Sequence, residues 1–503
     1  MKRFLTILAS VSVFAMAVSC DLDLTPKGKV TYNPGDPIIT SATDLESFEI
    51  NIMANLRSLE YGDYDQVSDV MVDYFNALAD YGNNYGPVHK TDMNFTASDY
   101  DTEANWANPY TAIKNFNIFI NGAQSVPAGL EEDAAIARGE AYFGRAFAYL
   151  HLARHFGKAY SASAATDLCV PLVTVYDQTA RPERATVKAV YDQIKTDLDS
   201  AAVLLAGVEG EVRAERPTID AVNALYARYY LDVQDYANAA ASAEKVINTK
   251  KYEVSSTAAA MKAEWIDDEG KEPIMQYYAS LQEGIGGHSI YAGLSNDKDM
   301  GPHFREYFIP TKKLVEAYEE GDLRFGQWFT DEYPTFHSGS YYNVDKHDYY
   351  NFVKYFGNPD LYTGLANTGQ AIKPLLISEM YLIAAEAHSK AGSSTKAAEA
   401  LNALQTSRGA TPTAATFENI QNEWYKEVVG EGLYFSCLKR WGKGYSGRAP
   451  QAGATMLIAS GEYFENKVWS DTDYHFQWPV PTYELQTNLN LKQNDGYGVE
   501  NTD

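Results

Sequence analysis

A pattern of small and aromatic side chains that occurs twice in the chain places the strongest constraint on its fold. Thr218 is positioned to cap a helix, and Asp220 lies in the first turn, where the helix dipole favours negative charge. The offsets that follow are those of a tetratricopeptide helix pair, in which small residues let two helices lie close together. The pattern gives Ala227, Tyr230, Tyr236, Ala239 and Ala243 the first time, then Ala385, Gly392, Ala397, Leu401 and Leu404. The sequence therefore predicts at least two helix pairs.

Apolar side chains also recur at helical spacing between Ile136 and Phe156, which predicts a helix with a buried face. Gly139 and Gly144 have no side chain, and we expect a neighbouring element to pack close to the helix at these two positions. Trp106 precedes a run of apolar residues at similar spacing, so we assign it to the core. Together these segments predict a mainly α-helical protein.

The stretch from about Trp265 to Thr368 breaks the helical pattern. It is rich in Gly, Tyr, Asn and Asp, and it has proline at positions 273, 302, 310, 334 and 359. We interpret it as long loops and short irregular elements laid over a helical scaffold. It lies between the two helix pairs, which are 158 residues apart from Ala239 to Ala397, so a tandem array built only of repeats is excluded. Long loops in compact proteins commonly carry function, and this stretch therefore predicts a binding face.

The N-terminal residues predict export and anchoring. Lys2 and Arg3 precede an apolar run that is short for a membrane span, so residues 1–19 are expected to be a signal peptide. Small or modest side chains directly before Cys20 are typical of a bacterial lipoprotein box, and Cys20 is the predicted lipid attachment site. The alternative is an ordinary secretory signal in which Cys20 is incidental. Residues 20–37 then form a flexible tether, followed by an N-terminal region at 38–260 and a C-terminal region at 261–503.

The charge of the chain excludes two classes of partner. Its 503 residues include 67 Asp and Glu against 41 Lys and Arg, for a formal charge of -26. Nucleic acid requires a concentrated cationic surface, and an anionic membrane surface would repel so acidic a protein.

Apart from Cys20, the chain contains Cys169 and Cys437, which are free to pair in an exported protein. Two buried thiols are favoured because a chain of this size needs no disulfide.

Two sequence patterns imitate catalytic or cofactor sites but lack a required feature. His151 and His155 have the spacing of a zinc-protease helix, yet Leu152 stands where the general base Glu is needed, so we expect a helix-surface pair. A G-x-G-x-x-G pattern begins at Gly442, but it follows a predicted helix rather than a strand. A glycine-rich segment that ends the helix fits this position better than a phosphate-binding loop.

A third pattern imitates a calcium loop. Asp99, Asp101 and Glu103 have the spacing of its first ligands, but Ala104 replaces the glycine that must turn the chain. We expect a solvated acidic loop there. No catalytic constellation, metal site or cofactor is predicted, so binding is favoured over catalysis.

The aromatic content suits carbohydrate binding, because the C–H faces of a sugar ring stack on aromatic rings while polar neighbours bond its hydroxyls. The chain has 38 Tyr, and aromatic residues make up 13% of it. We select candidates from its glycine-punctuated and irregular stretches, although packing under its own loop is the alternative for each ring. The candidate glycan-binding residues are Tyr81, Asn83, Tyr85, His288, Tyr291, Trp328, Tyr341 and Tyr342.

Five segments lie in order behind the lipoprotein box, at 137–157 with 170–174, 184–205, 375–392, 431–442 and 478–497. Together they resemble the SusD/RagB family of outer-membrane lipoproteins. Arg440 and Trp441 fall in the fourth of them and are expected to clamp helices rather than to contact ligand. The sequence departs from the family at Trp424 and Tyr434, where Arg is common.

The resemblance implies a mainly α fold with tetratricopeptide-like helix pairs on one side and a loop-rich face on the other. It also implies capture of a glycan or oligosaccharide at the outer surface of a Gram-negative cell, in partnership with a SusC-like TonB-dependent barrel transporter. Two alternatives stay open. One is a surface glycoside hydrolase, in which two carboxylates flank the scissile bond. The other is a lid subunit of the transporter that binds no glycan itself.

Overall fold

The structure is a computed structural model that describes residues 37–60, 63–81, 84–283, 293–345 and 347–498. The described residues form sixteen α-helices and fourteen short strands. The helices are α1 (Ala42–Leu59), α2 (Asp63–Met71), α3 (Gly86–Lys90), α4 (Tyr100–Gly122), α5 (Glu131–Phe156), α6 (Val187–Leu204), α7 (Ile219–Asp232), α8 (Tyr236–Ile247), α9 (Ala258–Trp265), α10 (Lys312–Glu316), α11 (Leu323–Trp328), α12 (Ile377–Lys390), α13 (Ser394–Ser407), α14 (Phe417–Glu427), α15 (Tyr434–Trp441) and α16 (Thr482–Thr487).

The strands are two to four residues long and pair into one four-stranded and five two-stranded sheets. They are β1 (Phe75–Ala77), β2 (Leu168–Pro171), β3 (Arg184–Thr186), β4 (Pro273–Met275), β5 (Leu294–Asp297), β6 (Gly301–Phe304), β7 (Phe308–Pro310), β8 (Phe329–Thr330), β9 (Thr335–His337), β10 (Ser340–Tyr342), β11 (Asn351–Phe352), β12 (Leu375–Leu376), β13 (Tyr445–Ser446) and β14 (Val468–Trp469). The mainly α fold class predicted from periodicity is confirmed.

The two predicted helix pairs are α7 with α8 and α12 with α13, and they pack against each other through α8 and α12. Units that are far apart in the chain are therefore neighbours in space. The array continues from α7 to α6, α5, α4 and α1, each helix packing on the one before it. Thr218 caps α7 as predicted, its hydroxyl accepting the Ala221 N–H at 3.3 Å. This helical array is the scaffold on which the irregular stretch rests.

Helix α5 is buried along most of its length because α4 and α6 cover two of its sides. The predicted close approaches occur at both of its glycines. A Cβ at Gly144 would lie 2.5 Å from the ring of Phe116, and one at Gly139 would lie 2.8 Å from Leu205. The core assignment of Trp106 is also confirmed, since its side chain is buried against Phe156.

Two sequence interpretations are wrong because a neighbouring element covers the residues concerned. His155 is not on a helix surface: it is buried, its Nε2 lies 2.8 Å from the Ser68 hydroxyl, and burial lowers its pKa to about 3. Asp99 is not in a solvated loop but caps α4, accepting the backbone N–H groups of Asp101 and Thr102 at 3.1 Å. Asp101 is itself buried.

Other expectations about the C-terminal half are confirmed. Gly442 ends α15 in the left-handed conformation, which is the helix exit predicted for the glycine pattern. Arg440 and Trp441 of α15 both donate hydrogen bonds to the carboxylate of Glu386 on α12, so they clamp two helices together. Cys169 and Cys437 are buried free thiols. Among the described residues, every helix is too short or too polar to cross a bilayer.

Candidate functional site

The irregular stretch contains a β-hairpin whose geometry fixes which side chains share a face. Ser338 and Gly339 connect β9 to β10, and both have positive φ, as a two-residue hairpin turn requires. The register places Tyr341 opposite Phe336, with their ring centroids 5.0 Å apart. Since opposite residues in an antiparallel pair point to the same side, Tyr341 and Phe336 share one face. Tyr342 lies on the other.

Two side chains from the neighbouring strand region complete this face. The imidazole of His303 on β6 lies with its centroid 5.2 Å from that of Tyr341 and 5.8 Å from that of Phe336. The guanidinium of Arg305 lies 5.3 Å from the centre of the Phe336 ring. Arg305 is exposed, and the Phe336 and Tyr341 rings are partly exposed. We call His303, Arg305, Phe336 and Tyr341 the aromatic platform.

The opposite face of the hairpin is fixed to the loop that follows β1. Tyr342 packs on a small buried cluster that includes Leu78 and Ile458. The same loop is held by backbone hydrogen bonds, with the Leu78 N–H donating to the Tyr307 carbonyl at 2.8 Å and the Ala79 N–H to the Leu457 carbonyl at 2.7 Å. The hairpin and this loop therefore share a rigid base.

Asp80 in this loop is close enough to the hairpin to affect the titration of His337. Burial lowers the pKa of His337 at the end of β9, and the negative charge of Asp80 partly opposes that shift. Asp80 immediately precedes Tyr81. The structure thus brings Tyr341 and Tyr342, from the irregular stretch, to the same part of the molecule as the Tyr81 loop.

The ring of Tyr81 is partly covered by its own surroundings. It packs on Phe464 with centroids 5.8 Å apart, and Gly86 approaches so closely that a Cβ there would lie 2.6 Å from the ring. Tyr81 is partly exposed and remains a candidate. Tyr85 is 5% exposed and belongs to the core, so its assignment to a ligand surface is wrong.

The assignment of Trp328 is also wrong. Its side chain is fully buried at the end of α11. The Lys354 ammonium lies 4.2 Å from the centre of this ring and 4.2 Å from that of Trp265. The two indoles meet edge to face, 5.8 Å apart. The loop-rich surroundings in the sequence gave no sign of this packing, because the covering residues come from distant segments. Cys20, Asn83, His288 and Tyr291 lie outside the described residues.

Sequence reasoning missed His303, Arg305 and Phe336. A usable signal existed for Phe336, because Thr335–Tyr342 reads as two short strands around a Ser-Gly turn. None existed for His303 and Arg305, since β6 reaches β9 through a long-range parallel contact at Phe304 and Thr335. Beneath the platform, burial raises the pKa of Glu306 to about 7, and its carboxylate accepts the Thr335 hydroxyl at 3.2 Å.

The platform has the chemistry of a stacking surface. The partly exposed rings of Phe336 and Tyr341 offer electron-rich faces to the C–H groups of a sugar, with the buried His303 imidazole packed beside them. The guanidinium of Arg305 can donate hydrogen bonds to hydroxyls next to these rings. The described residues contain no group of three or more His, Cys, Asp or Glu side chains arranged to hold a metal ion. Partly exposed rings beside a guanidinium are suited to recognising a ligand by its shape and hydroxyl pattern.

Comparisons with known proteins agree with this architecture. Residues 35–231 match a SusD-like sequence family described as starch-binding and associating with the outer membrane, and residues 247–497 match the SusD family. A SusD-like protein P2 of Formosa agariphila is 25% identical over 468 residues, which cover 84% of this chain and 86% of that protein.

Two solved structures show the same fold. A SusD superfamily protein from Bacteroides thetaiotaomicron is 24% identical with a TM-score of 0.76, over 90% of this chain and 99% of that one. The surface glycan-binding protein A from Bacteroides fluxus is 20% identical with a TM-score of 0.67, over 91% of this chain and 100% of that one.

Proposed function

Because this chain belongs to the SusD family, we propose that it is a lipid-anchored surface protein that captures a glycan and passes it to a TonB-dependent barrel transporter. Two comparisons support the proposal that the ligand is a glycan. One matching family is described as starch-binding, and a protein with the same fold is described as a surface glycan-binding protein. The transporter and the lipid anchor are inferences from the family and from the sequence before Cys20.

The single observation that carries the proposal is the aromatic platform. Tyr341, Phe336 and His303 form contiguous ring contacts at the edge of a sheet whose other face is fixed to the protein, so the rings are held in place before a ligand arrives. A pre-organised surface loses little conformational entropy on binding. Arg305 beside it supplies the polar contact that orients a sugar.

Affinity electrophoresis of the purified protein through gels containing single polysaccharides tests the proposal. Retardation by at least one polysaccharide is expected, and it should be lost when Tyr341 and Arg305 are both replaced by alanine. Retardation by none would favour a lid subunit without glycan binding. A reducing-sugar assay on the same polysaccharides should show no turnover, and sustained release of reducing ends would favour the hydrolase.

The anchor and the partner need separate experiments. Mass spectrometry of the protein extracted from its native membrane should find acyl chains on Cys20, and Cys20→Ser should release the protein into the soluble fraction. Isolation of the tagged protein from outer membranes in mild detergent should retain a barrel transporter. An unmodified amino terminus, or isolation without a transporter, would contradict the respective part of the proposal.

A further inference from the structure

A second concave surface is lined by residues other than those of the aromatic platform. It is a cleft of about 520 Å³ between α1, α4, the segment after β4 and the segment before β12. Five of its fourteen lining residues carry side-chain amides. Asn51 and Asn55 come from α1, Asn108 and Asn115 from α4, and Gln370 from the segment before β12.

The amides of α1 and α4 form an ordered chain across the cleft wall. The Asn115 side-chain amide donates to the Asn55 side-chain oxygen at 2.9 Å, and the Asn55 amide donates to the backbone and side-chain oxygens of Asn51 at 2.6 and 3.0 Å. These bonds fix the orientation of the amides, while Asn51 and Asn108 remain exposed. The wall is therefore a pre-oriented set of donors and acceptors.

Gln370 is the feature that points to a ligand. This glutamine is 2% exposed, and neither its amide nitrogen nor its amide oxygen has a hydrogen-bond partner within the described part of the chain. A buried amide without partners costs about 1–3 kcal/mol, and such groups are rare unless something else satisfies them. Since Gln370 lines the cleft, a molecule in the cleft is the available partner.

The charge and the aromatic content of the cleft identify the class of molecule. The charged residue among its lining is Arg57, and its guanidinium is already engaged by the Glu283 carboxylate at 2.6 Å and the Tyr278 carbonyl at 3.2 Å. The Tyr278 side chain is 51% exposed at the cleft. Amides donate and accept at once, as hydroxyls do, so they suit a polyhydroxylated ligand without net charge.

We propose that this amide cleft binds a neutral saccharide unit at a site separate from the aromatic platform. The hydroxyls of the sugar satisfy both ends of the Gln370 amide, and the exposed ring of Tyr278 covers one sugar face. This proposal extends the proposed function to a second site on the same molecule, but it rests on its own residues. A long glycan would then be held at two points, which raises its overall affinity.

Isothermal titration of the mature protein with maltohexaose, cellohexaose, laminarihexaose, mannohexaose and xylohexaose tests the cleft. The titrations are made on the wild type, on a platform variant with Tyr341→Ala and Arg305→Ala, and on both with Gln370→Met added. Methionine keeps the side-chain volume and removes the unpartnered amide, so Gln370→Met should not lower the melting temperature. We expect the platform variant to retain binding of at least one probe, and Gln370→Met to weaken that binding at least tenfold.

Two further variants make the result specific. Thr111→Trp, on the exposed face of α4 at the cleft, should block the same binding by filling the space, whatever Gln370→Met does to the fold. Asn402→Leu on α13 is the matched control, because it also removes an amide whose oxygen lacks a hydrogen-bond partner among the described residues, but it lies outside the cleft.

Each outcome separates this proposal from the proposed function. Binding that disappears completely in the platform variant, or that is unchanged by Gln370→Met and Thr111→Trp, would overturn the cleft site and leave glycan binding at the platform intact. Binding that is unaffected by the platform substitutions but abolished by the cleft substitutions would support the cleft site and overturn the platform. The absence of binding of all five neutral probes to every form would overturn the cleft proposal, and the cleft would then hold water only.

Discussion

Arg228 on α7 and Glu379 on α12 form a buried, two-point ion pair between positions 151 residues apart in the chain. The Arg228 guanidinium donates to both carboxylate oxygens of Glu379, at 2.6 and 2.7 Å, and to the Pro374 carbonyl at 2.7 Å. The pair joins the two helix pairs, which the sequence separates by the whole irregular stretch. Its carboxylate raises the pKa of Arg228 above its usual value and outweighs the opposing effect of burial.

Removing one partner of this pair should destabilise the protein strongly. Glu379→Gln leaves the Arg228 cation buried and unpaired, so we expect the free energy of unfolding to fall by about 3–5 kcal/mol. Chemical denaturation followed by circular dichroism measures this loss. The exposed pair Lys188–Asp192 on α6 provides the control, since Asp192→Asn should leave the unfolding midpoint unchanged. Equal effects of the two substitutions would show that the buried pair does not join the helix pairs.

The helix contact at Gly144 should tolerate no added methyl group. A Cβ at this position would lie 2.5 Å from the Phe116 ring, so Gly144→Ala forces α4 and α5 apart. We expect a loss of about 1–3 kcal/mol, despite the better helix propensity of alanine. Gly207→Ala is the matched control because, apart from its chain neighbours, no heavy atom of the described residues lies within 4 Å of the added Cβ. A thermal melt distinguishes them, and a stabilising Gly144→Ala would contradict the packing described for α5.

The aromatic platform predicts a loss of binding without a loss of stability. For a glycan that retards the wild type, Tyr341→Ala should lower the affinity tenfold or more, because the sugar loses its stacking partner. Its melting temperature should stay close to that of the wild type. Tyr226→Ala is the control, since this partly exposed tyrosine is stacked on Tyr230 in the helical scaffold. Weakening by both substitutions to the same degree would place the glycan elsewhere.

The Tyr81 loop makes a prediction of its own. Tyr81 lies beside the hairpin but packs on Phe464, so Tyr81→Ala should weaken glycan binding less than Tyr341→Ala does. Tyr291→Ala, outside the described residues, should weaken binding while the melting temperature stays unchanged. Titration calorimetry with one glycan compares the three variants. Full affinity in both Tyr81→Ala and Tyr291→Ala would remove these two residues from the binding site.

The buried carboxyl of Glu306 should make stability depend on pH. Burial raises its pKa to about 7 in the folded state, from 4.5 in its ordinary environment, so the folded protein holds a proton there that the unfolded chain releases. The contribution of the neutral acid is complete below about pH 4.5 and is lost as the pH rises through about 7. Glu306→Gln stays neutral throughout and should gain stability relative to the wild type between pH 5 and pH 8, by roughly 2–3 kcal/mol.

Denaturation of both proteins at pH 5 and pH 8 measures this difference. The exposed Glu399→Gln on α13 serves as the control, and its difference from the wild type should be the same at the two pH values. A Glu306→Gln difference that is constant with pH would mean that Glu306 remains ionised under the sheet.

The C-terminal segment shows that a sequence pattern can identify a segment without indicating which distant residues it contacts. The sequence identified 478–497 as part of the resemblance. The structure shows that Asn494 accepts a hydrogen bond from Arg184 at 2.6 Å and donates to the Phe156 and Trp478 carbonyls at 3.1 and 2.6 Å. These contacts join the end of the chain to α5 and to β3. No local pattern contains them, because the partners are up to 338 residues apart.

The sequence by itself determined the helices. The spacing of small and apolar residues, the cap at Thr218 and the glycine exit at Gly442 act within one or two turns, so periodicity was sufficient to predict them. For Cys169 and Cys437 the sequence favoured buried thiols but left a disulfide open, and the clamp at Arg440 and Trp441 was an expectation that the contacts with Glu386 confirm.

Only the tertiary structure decided which rings reach the surface. Trp328 and Tyr341 both occur in the irregular stretch, yet one is buried over Lys354 and the other stands on a sheet face beside His303. Whether an aromatic ring is covered depends on elements that are distant in the chain, and the energy gained by burying a ring is the same whichever segment covers it. Periodicity within a segment carries no information about that partner.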